Sequence, residues 1–221
     1  MLFRSKAPEV VQAFIDAHQR GVRVRIQIDS NYYYSKNPKT LELDHEHLNP
    51  IIIPLIEAGI EVKEDEKRSG LMHNKFCILD DYWVWTGSYN LTIRGWERNE
   101  NNAAQFRSKK LAQIYKREFE EMYVDRRFGI TSPSTVNKQS IVLGDKKIEV
   151  YFAPEDNPLL HIYEHLDQAQ EEIYFMQFAM TANEIGDLLV KKHRSGIKVK
   201  GIFDKLRSEE HTSELQSPCN L

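Results

Sequence analysis

Hydrophobic positions along the chain alternate between helical and strand spacing. Val10, Phe14 and Ala17 recur at helical intervals before Gly21, and residues 22–28 then alternate as a strand. The same pattern predicts further helices at 49–57 and 109–123, a polar loop at 30–42, and further strands at 60–62, 71–79, 82–85 and 102–106. Because strands and helices alternate, we predict an α/β fold with helices packed on a mixed, largely parallel sheet.

The predicted helix at 109–123 is rich in charge. Its basic residues are opposed by acidic ones, namely Lys109, Lys110, Lys116 and Arg117 against Glu118, Glu120 and Glu121. Mixed charge of this kind is typical of a solvent-facing surface, which we expect here.

The chain contains an internal repeat. Residues 7–29 align with residues 182–204 at a constant offset, and each unit reads as helix, glycine, strand and a terminal aspartate, Asp29 or Asp204. A strand at 147–152, a helix at 158–169 and a strand at 172–178 precede the second copy. We therefore predict a first lobe at 1–127, a linker at 128–146 and the start of a second lobe at 147–206.

Both ends of the chain depart from this pattern. Residues 207–217 match the in-frame translation of a common sequencing-library adapter, so we expect 207–221 to be an artefact. No counterpart of residues 147–178 precedes Ala7, so we also expect the first lobe to be clipped at its start.

Composition narrows the class of protein. The chain is 41% hydrophobic and 29% charged, with a net charge of −3, which suits a globular protein and neither demands nor excludes a polyanionic partner. No apolar run approaches about 18 residues, so no transmembrane helix is predicted. No signal peptide is visible, and the compartment stays open. The two cysteines form neither a disulfide framework nor a zinc-binding pattern.

The candidate chemistry begins with His73, Lys75 and Asp80, in the pattern His-x-Lys-x4-Asp. In an extended segment alternate side chains share a face, so His73 and Lys75 point together and Asp80 points away. We expect Asp80 to have a supporting role at the strand end.

A second group follows as Gly87-Ser88-Tyr89-Asn90. Glycine allows close approach of the backbone, while Ser88 and Asn90 offer a hydroxyl and an amide to an anion. A neutral imidazole can attack phosphorus, and an ammonium with directed donors stabilises the charged oxygens. This scheme needs no metal ion and no cofactor.

Together these residues resemble the signature of the phospholipase D superfamily of phosphodiesterases, and within it bacterial phospholipase D-like proteins. The resemblance implies an α-β-α sandwich with one lobe nearly complete and a second lobe truncated. It implies that His73 is the nucleophile, that Lys75 and Asn90 grip the phosphate with Ser88 close by, and that Asp80 supports the site.

Many members of that family place a downstream glutamate against the histidine ring. The corresponding stretch here has Asn101 where the glutamate is usual, with Glu100 one position earlier. The resemblance therefore implies that Glu100 or Asn101 orients the His73 ring.

The resemblance also implies a two-fold active site with one motif from each lobe. By the repeat, a second motif would fall near position 248, past the end of this chain, so we expect only a half-site. The expected partner is a phosphodiester substrate, with phospholipid favoured over nucleic acid. The missing lobe or a second copy of the chain would complete the site. The rival hypotheses are a metal-independent nuclease of the same family and a phosphate-binding or assembly module without turnover.

Overall fold

A computed structural model describes residues 8–37, 39–40, 42–66, 70–92, 95, 97–134 and 140–204. The expected artefact at 207–221 lies outside the described residues, and so do the first seven residues. The chain forms two compact units, residues 1–156 and 157–221.

The first unit is a mixture of short helices and small sheets. Its helices are α1 (Pro8–Gln19), α2 (Ser30–Tyr33), α3 (Ile53–Glu57) and α4 (Lys109–Tyr123). Its strands are β1 (Arg25–Ile28), β2 (Tyr34–Lys36), β3 (Leu43–Leu48), β4 (Glu61–Glu64), β5 (Phe76–Leu79), β6 (Trp83–Gly87), β7 (Ala103–Arg107), β8 (Ser140–Leu143) and β9 (Lys146–Glu149). A 3-10 turn spans Gly129–Thr131.

The predicted mixed α/β class is confirmed. Among the described strands, β1 pairs with β4 in parallel, whereas β2–β3, β5–β6–β7 and β8–β9 are antiparallel. Antiparallel pairs therefore outnumber parallel ones among the described strands of this unit, and short turns join β5 to β6 and β8 to β9 as hairpins.

The core of the first unit has two parts. Helix α4 packs on the β5–β6–β7 sheet through Leu111, Ala112 and Ile114 against the fully buried Val84. The second part lies between α3, β1 and β4, and its buried members are Ile52, Leu55, Ile60 and Val62.

Helix α4 has the predicted bounds, but its predicted solvent-facing acidic surface is wrong. The helix begins after Ser108, whose Oγ accepts a hydrogen bond from Leu111 N at 3.3 Å. Glu118 and Glu121 are only 8% and 7% exposed, so two of its glutamates face the interior.

The boundary between the compact units also differs from the predicted lobe boundaries. The segment predicted as a linker contains β8, and Ile141, Val150 and Phe152 belong to the core beneath β6. The division of the repeat into lobes at 1–127 and 147–206 remains a prediction.

The second unit contains α5 (Pro158–Asp167), β10 (Glu172–Gln177), α6 (Asn183–Arg194) and β11 (Lys198–Phe203). Strands β10 and β11 pair in parallel, and Ile173, Ile185 and Leu189 form the core. The order of α6 and β11 matches that of α1 and β1, as expected from the repeat. Within the described part of the chain, no helix has both the length and the apolarity to cross a bilayer.

Candidate active site

The three antiparallel strands β5, β6 and β7 gather the motif residues at one end. Strand β5 begins at Phe76, β6 ends at Gly87 and β7 begins at Ala103. Neighbouring antiparallel strands place the start of one beside the end of the next. Residues 73–75, 87–90 and 101–102 therefore lie at the same end of the sheet, which we call the site edge.

The predicted strand at 71–79 is shorter than expected. Only Phe76–Leu79 is strand, so His73 and Lys75 lie on the segment that leads into it. Thr86 Oγ1 donates to the Lys75 carbonyl at 3.2 Å, and Phe76 pairs with Thr86. These contacts place Lys75 next to Gly87, as the two halves of the motif require.

His73 is exposed and Lys75 is half-buried. Lys75 Nζ donates to the His73 carbonyl oxygen at 2.8 Å, which keeps the ammonium close to the imidazole. Partial burial, and then the positive charge of Lys75, lower the pKa of His73, while Asp29 opposes them. The neutral imidazole, which is the nucleophilic form, is therefore favoured at neutral pH.

Asp29 is the site residue that the sequence motifs did not reveal. Its side chain is 6% exposed at the end of β1, where Oδ2 accepts from Met72 N at 3.0 Å and Oδ1 accepts from Asn31 N at 2.9 Å. Asp29 thus anchors the backbone next to His73. Burial lowers the pKa of both His73 and Lys75, and the charge of Asp29 opposes that shift in each. The available signal was the aspartate that ends both copies of the repeat.

Ser88 and Asn101 brace the loop of the site edge. Ser88 Oγ donates to Asn101 Oδ1 at 2.9 Å and accepts from Asn102 N at 3.0 Å. Asn101 Nδ2 in turn donates to the Gly95 carbonyl at 3.0 Å. Asn101 therefore contacts Ser88 and the loop, and a role for it beside the His73 ring remains a prediction.

Asn90 and Glu100 are both exposed at this edge. Within the described ranges, neither side chain forms a hydrogen bond, so the Asn90 amide can donate to a ligand. Among the described residues, no contact supports the predicted role of Glu100 beside the His73 ring.

Asp80 lies at the opposite end of the sheet. It begins the turn between β5 and β6 with a φ of 55°, a left-handed conformation that aspartate tolerates better than most residues. The strand carries it about 17 Å from Lys75 at roughly 3.3 Å per residue. The structure does not bring Asp80 to His73, and its predicted supporting role is compatible with this position at the strand end.

One group in the described part of the chain has side chains arranged as metal ligands. Asp44, Glu46 and His47 on β3 place ligand atoms within 4.8 Å of one another. Asp44 is half-buried and the other two are exposed, and Asp44 Oδ2 lies 2.9 Å from His47 Nδ1. Exposed groups of this kind also occur without a metal ion, so they carry no assignment.

Comparison with known proteins supports the motif. The family model described as "Cardiolipin synthase, PLD-like domain" matches residues 1–123. The chain belongs to this family. The match includes the whole site edge, and the predicted resemblance to the phospholipase D superfamily is confirmed.

The curated relatives have names that concern phospholipid hydrolysis. The chain is 31% identical over 122 residues to the mitochondrial cardiolipin hydrolase of Xenopus tropicalis, which covers 55% of this chain and 52% of that protein. It is 34% identical over 106 residues to the phospholipase D of Rickettsia prowazekii (strain Madrid E), covering 48% of this chain and 45% of that protein. The chain thus spans about half the length of the curated relatives it matches.

Part of the chain is also similar to a solved structure. It is the crystal structure of a phospholipase D family member, Nuc from Salmonella typhimurium, at 25% identity and a TM-score of 0.41. The match covers 53% of this chain and 74% of that one.

The opposite effects of Lys75 and Asp29 on His73 give a testable prediction. Asp29→Asn removes a negative charge, so we expect the pKa of His73 to fall further below its usual value. Lys75→Met removes a positive charge, so we expect that pKa to rise. Titration of the His73 ring by NMR measures both changes, and two shifts in the same direction would contradict the electrostatic picture.

Proposed function

We propose that the chain carries one half-site of a phosphodiesterase of the phospholipase D type, which hydrolyses phospholipids through a phosphohistidine at His73. The observation that carries the proposal is a histidine whose pKa is lowered by burial and by Lys75, at the sheet edge that also holds Ser88 and Asn90. Membership of the PLD-like family supports it independently.

The chemistry proceeds in two steps. A ring nitrogen of His73 attacks phosphorus, an N–P bond forms, and the P–O bond to the leaving alcohol breaks. The leaving oxygen takes a proton from a general acid in the second half-site. Water then attacks phosphorus and the N–P bond breaks, which releases the phosphate product and the imidazole, while the deprotonated group of the second half-site takes the proton from the water.

Two side chains of the site edge are placed to stabilise the transferred group. The Lys75 ammonium neutralises charge on the equatorial oxygens, and the Asn90 amide donates a directed hydrogen bond to one of them. Ser88 is already bonded to Asn101 and Asn102, so we assign it to holding the loop that carries Asn90.

The relatives favour phospholipid over nucleic acid as the substrate. Their names, phospholipase D and mitochondrial cardiolipin hydrolase, both refer to phospholipid phosphodiesters. The motif residues would contact only the phosphate, so the substrate class is an extension from these relatives.

A chelator assay with several substrates tests the proposal. The purified chain is incubated in EDTA with phosphatidylcholine vesicles, cardiolipin vesicles, single-stranded DNA and a chromogenic phosphodiester. We expect slow hydrolysis of lipid and of the chromogenic ester, because one half-site lacks its general acid. The rate should be lost in His73→Asn, which keeps a polar side chain but has no ring nucleophile.

The other outcomes separate the rival functions. Cleavage of DNA without lipid hydrolysis would replace phospholipid by nucleic acid. Vesicle binding without any turnover would favour a phosphate-binding module. Turnover in EDTA that survives His73→Asn would contradict the histidine mechanism.

A further inference from the structure

A cluster of buried carboxyl groups lies beside the segment that carries His73. Glu118 and Glu121 face inward from α4, and Glu155 and Asp156 come from the segment after β9. Glu118, Glu121 and Asp156 are each less than one tenth exposed. Within the described residues, Glu121 Oε1 and Glu155 Oε2 are buried without a hydrogen-bond partner.

Four ionised carboxylates are not stable in such a cluster. Like charges repel strongly where water is excluded, so at least one group takes up a proton. Both Asp156 oxygens already accept hydrogen bonds, Oδ2 from Phe152 N at 3.0 Å and Oδ1 from Ser134 Oγ at 3.4 Å. The proton therefore falls on one of the glutamates.

Glu118 is the glutamate that holds this proton. Burial, followed by Glu155, Glu121 and Asp156, raises the pKa of Glu118 to about 8, and only Asn74 opposes them. Burial raises the pKa of Glu155 as well, and a hydrogen bond with Glu118 is among the contacts that oppose this shift. Two carboxyl groups hydrogen-bond to each other only when one of them is protonated.

Glu118 also touches the catalytic segment. Asn74 Nδ2 donates to Glu118 Oε1 at 3.4 Å, and Asn74 lies between His73 and Lys75 in the chain. Alternate side chains of an extended segment point to opposite sides. The Asn74 amide therefore links the segment that carries His73 to α4, on the side opposite the expected phosphate position.

We propose that Glu118 is a positioning residue, held in its protonated form by the surrounding carboxyl groups, which fixes the segment carrying His73 and Lys75 through Asn74. Its role in turnover depends on the proposed function of His73, whereas its protonation and its contact with Asn74 do not. Deprotonation brings a negative charge against Glu155, Glu121 and Asp156 and destabilises the packing of α4 there.

This arrangement determines a pH dependence. The pKa of Glu118 in the folded state is above its unfolded value of 4.5. The protonated Glu118 carboxyl therefore contributes its full stabilisation of the fold below pH 4.5. The contribution decreases as the pH rises and is lost once the pH passes the folded pKa of about 8. Stability is therefore expected to fall between these two pH values.

Three variants of the full chain test the proposal. Glu118→Gln imitates the protonated carboxyl, Glu118→Ala removes it, and Glu120→Gln makes the same chemical change on the same helix at a carboxylate that pairs with Arg25 at 2.6 Å. Carboxyl and Asn74 side-chain amide resonances are followed by NMR, and the melting temperature is measured from pH 5 to 9.

We expect Glu118 and the Asn74 amide to titrate together with a midpoint above 7. Relative to wild type, Glu118→Gln should become progressively more stable as the pH rises, whereas Glu120→Gln should show no such trend above pH 6. A Glu118 midpoint below 7, or an Asn74 amide that does not respond to it, would overturn the proposal.

Turnover of the chromogenic phosphodiester separates positioning from mere stability. We expect Glu118→Gln to keep the wild-type kcat and Glu118→Ala to lower kcat about tenfold with little change in KM. Equal kcat in the two variants would overturn the positioning role. If wild type shows no turnover, the proposed function of His73 fails, and the NMR titration alone decides the role of Glu118.

Discussion

Replacing His73 with alanine is expected to lower phosphodiester turnover by about 10³-fold or more. Removal of a covalent nucleophile eliminates the two-step route and leaves only binding and charge stabilisation. Lys75 would still bind the phosphate, so KM should change much less than kcat. The measurement is hydrolysis of a chromogenic phosphodiester in EDTA, combined with rapid quench of a radiolabelled substrate to trap phosphate on the protein.

A surface histidine provides the matched control. His47 on β3 is exposed, and His47→Ala removes the same imidazole without touching the site edge. We expect wild-type turnover and wild-type labelling from this variant. Retention of more than about a tenth of the activity in His73→Ala, or labelled phosphate that persists in it, would rule out His73 as the nucleophile.

Gly87→Ala is expected to destabilise the first unit by about 3 kcal/mol and to abolish turnover. A Cβ at residue 87 would overlap the Asn102 carbonyl oxygen and approach Ala103 Cα to 2.8 Å. Both are backbone atoms of the paired strand, and the φ of Gly87 is 156°, so a small side-chain movement cannot relieve the overlap. Strand β7 must move away, and the contacts of Ser88 with Asn101 and Asn102 are lost with it.

The stability effect is measured by urea or thermal unfolding. Gly144→Ala serves as the control, since Gly144 has a φ of 64° but nothing within 4 Å of an added Cβ. We expect a smaller loss of about 1 kcal/mol there, from backbone conformation alone, with turnover unchanged. Equal losses in the two variants would show that the overlap with β7 is not what makes glycine necessary at position 87.

The sequence predicted the structure best where the determining residues are close together in the chain. Helix α4 has its predicted bounds, since the apolar spacing of Leu111 and Ile114 and the capping residue Ser108 all lie within that segment. The motif residues His73, Lys75, Ser88 and Asn90 lie at the site edge, whereas Asp80 lies at the other end of the sheet. The strand predicted at 147–152 overlaps β9, whereas the four residues of β8 lie in the segment predicted as a linker.

Contacts distant in sequence could not be predicted in this way. Asp29 reaches Met72 across 43 positions, and Asn74 reaches Glu118 across 44. The charge pattern of α4 gave no indication that Glu118 faces a carboxyl cluster, since that depends on where residues 155 and 156 pack. The repeat gave the one available signal for Asp29, and no comparable signal existed for Glu118.

The four residues that separate Lys75 from Asp80 are the whole of β5. The spacing between Lys75 and Asp80 is therefore the length of β5. It fixes how many strand residues precede the turn that begins at Asp80. Phe76 and Ile78 pack inward along it. An inserted residue would exchange the inward and outward sides of everything downstream of it. The motif thus specifies the reactive groups at one end of a hairpin, and its spacing specifies how long that hairpin is.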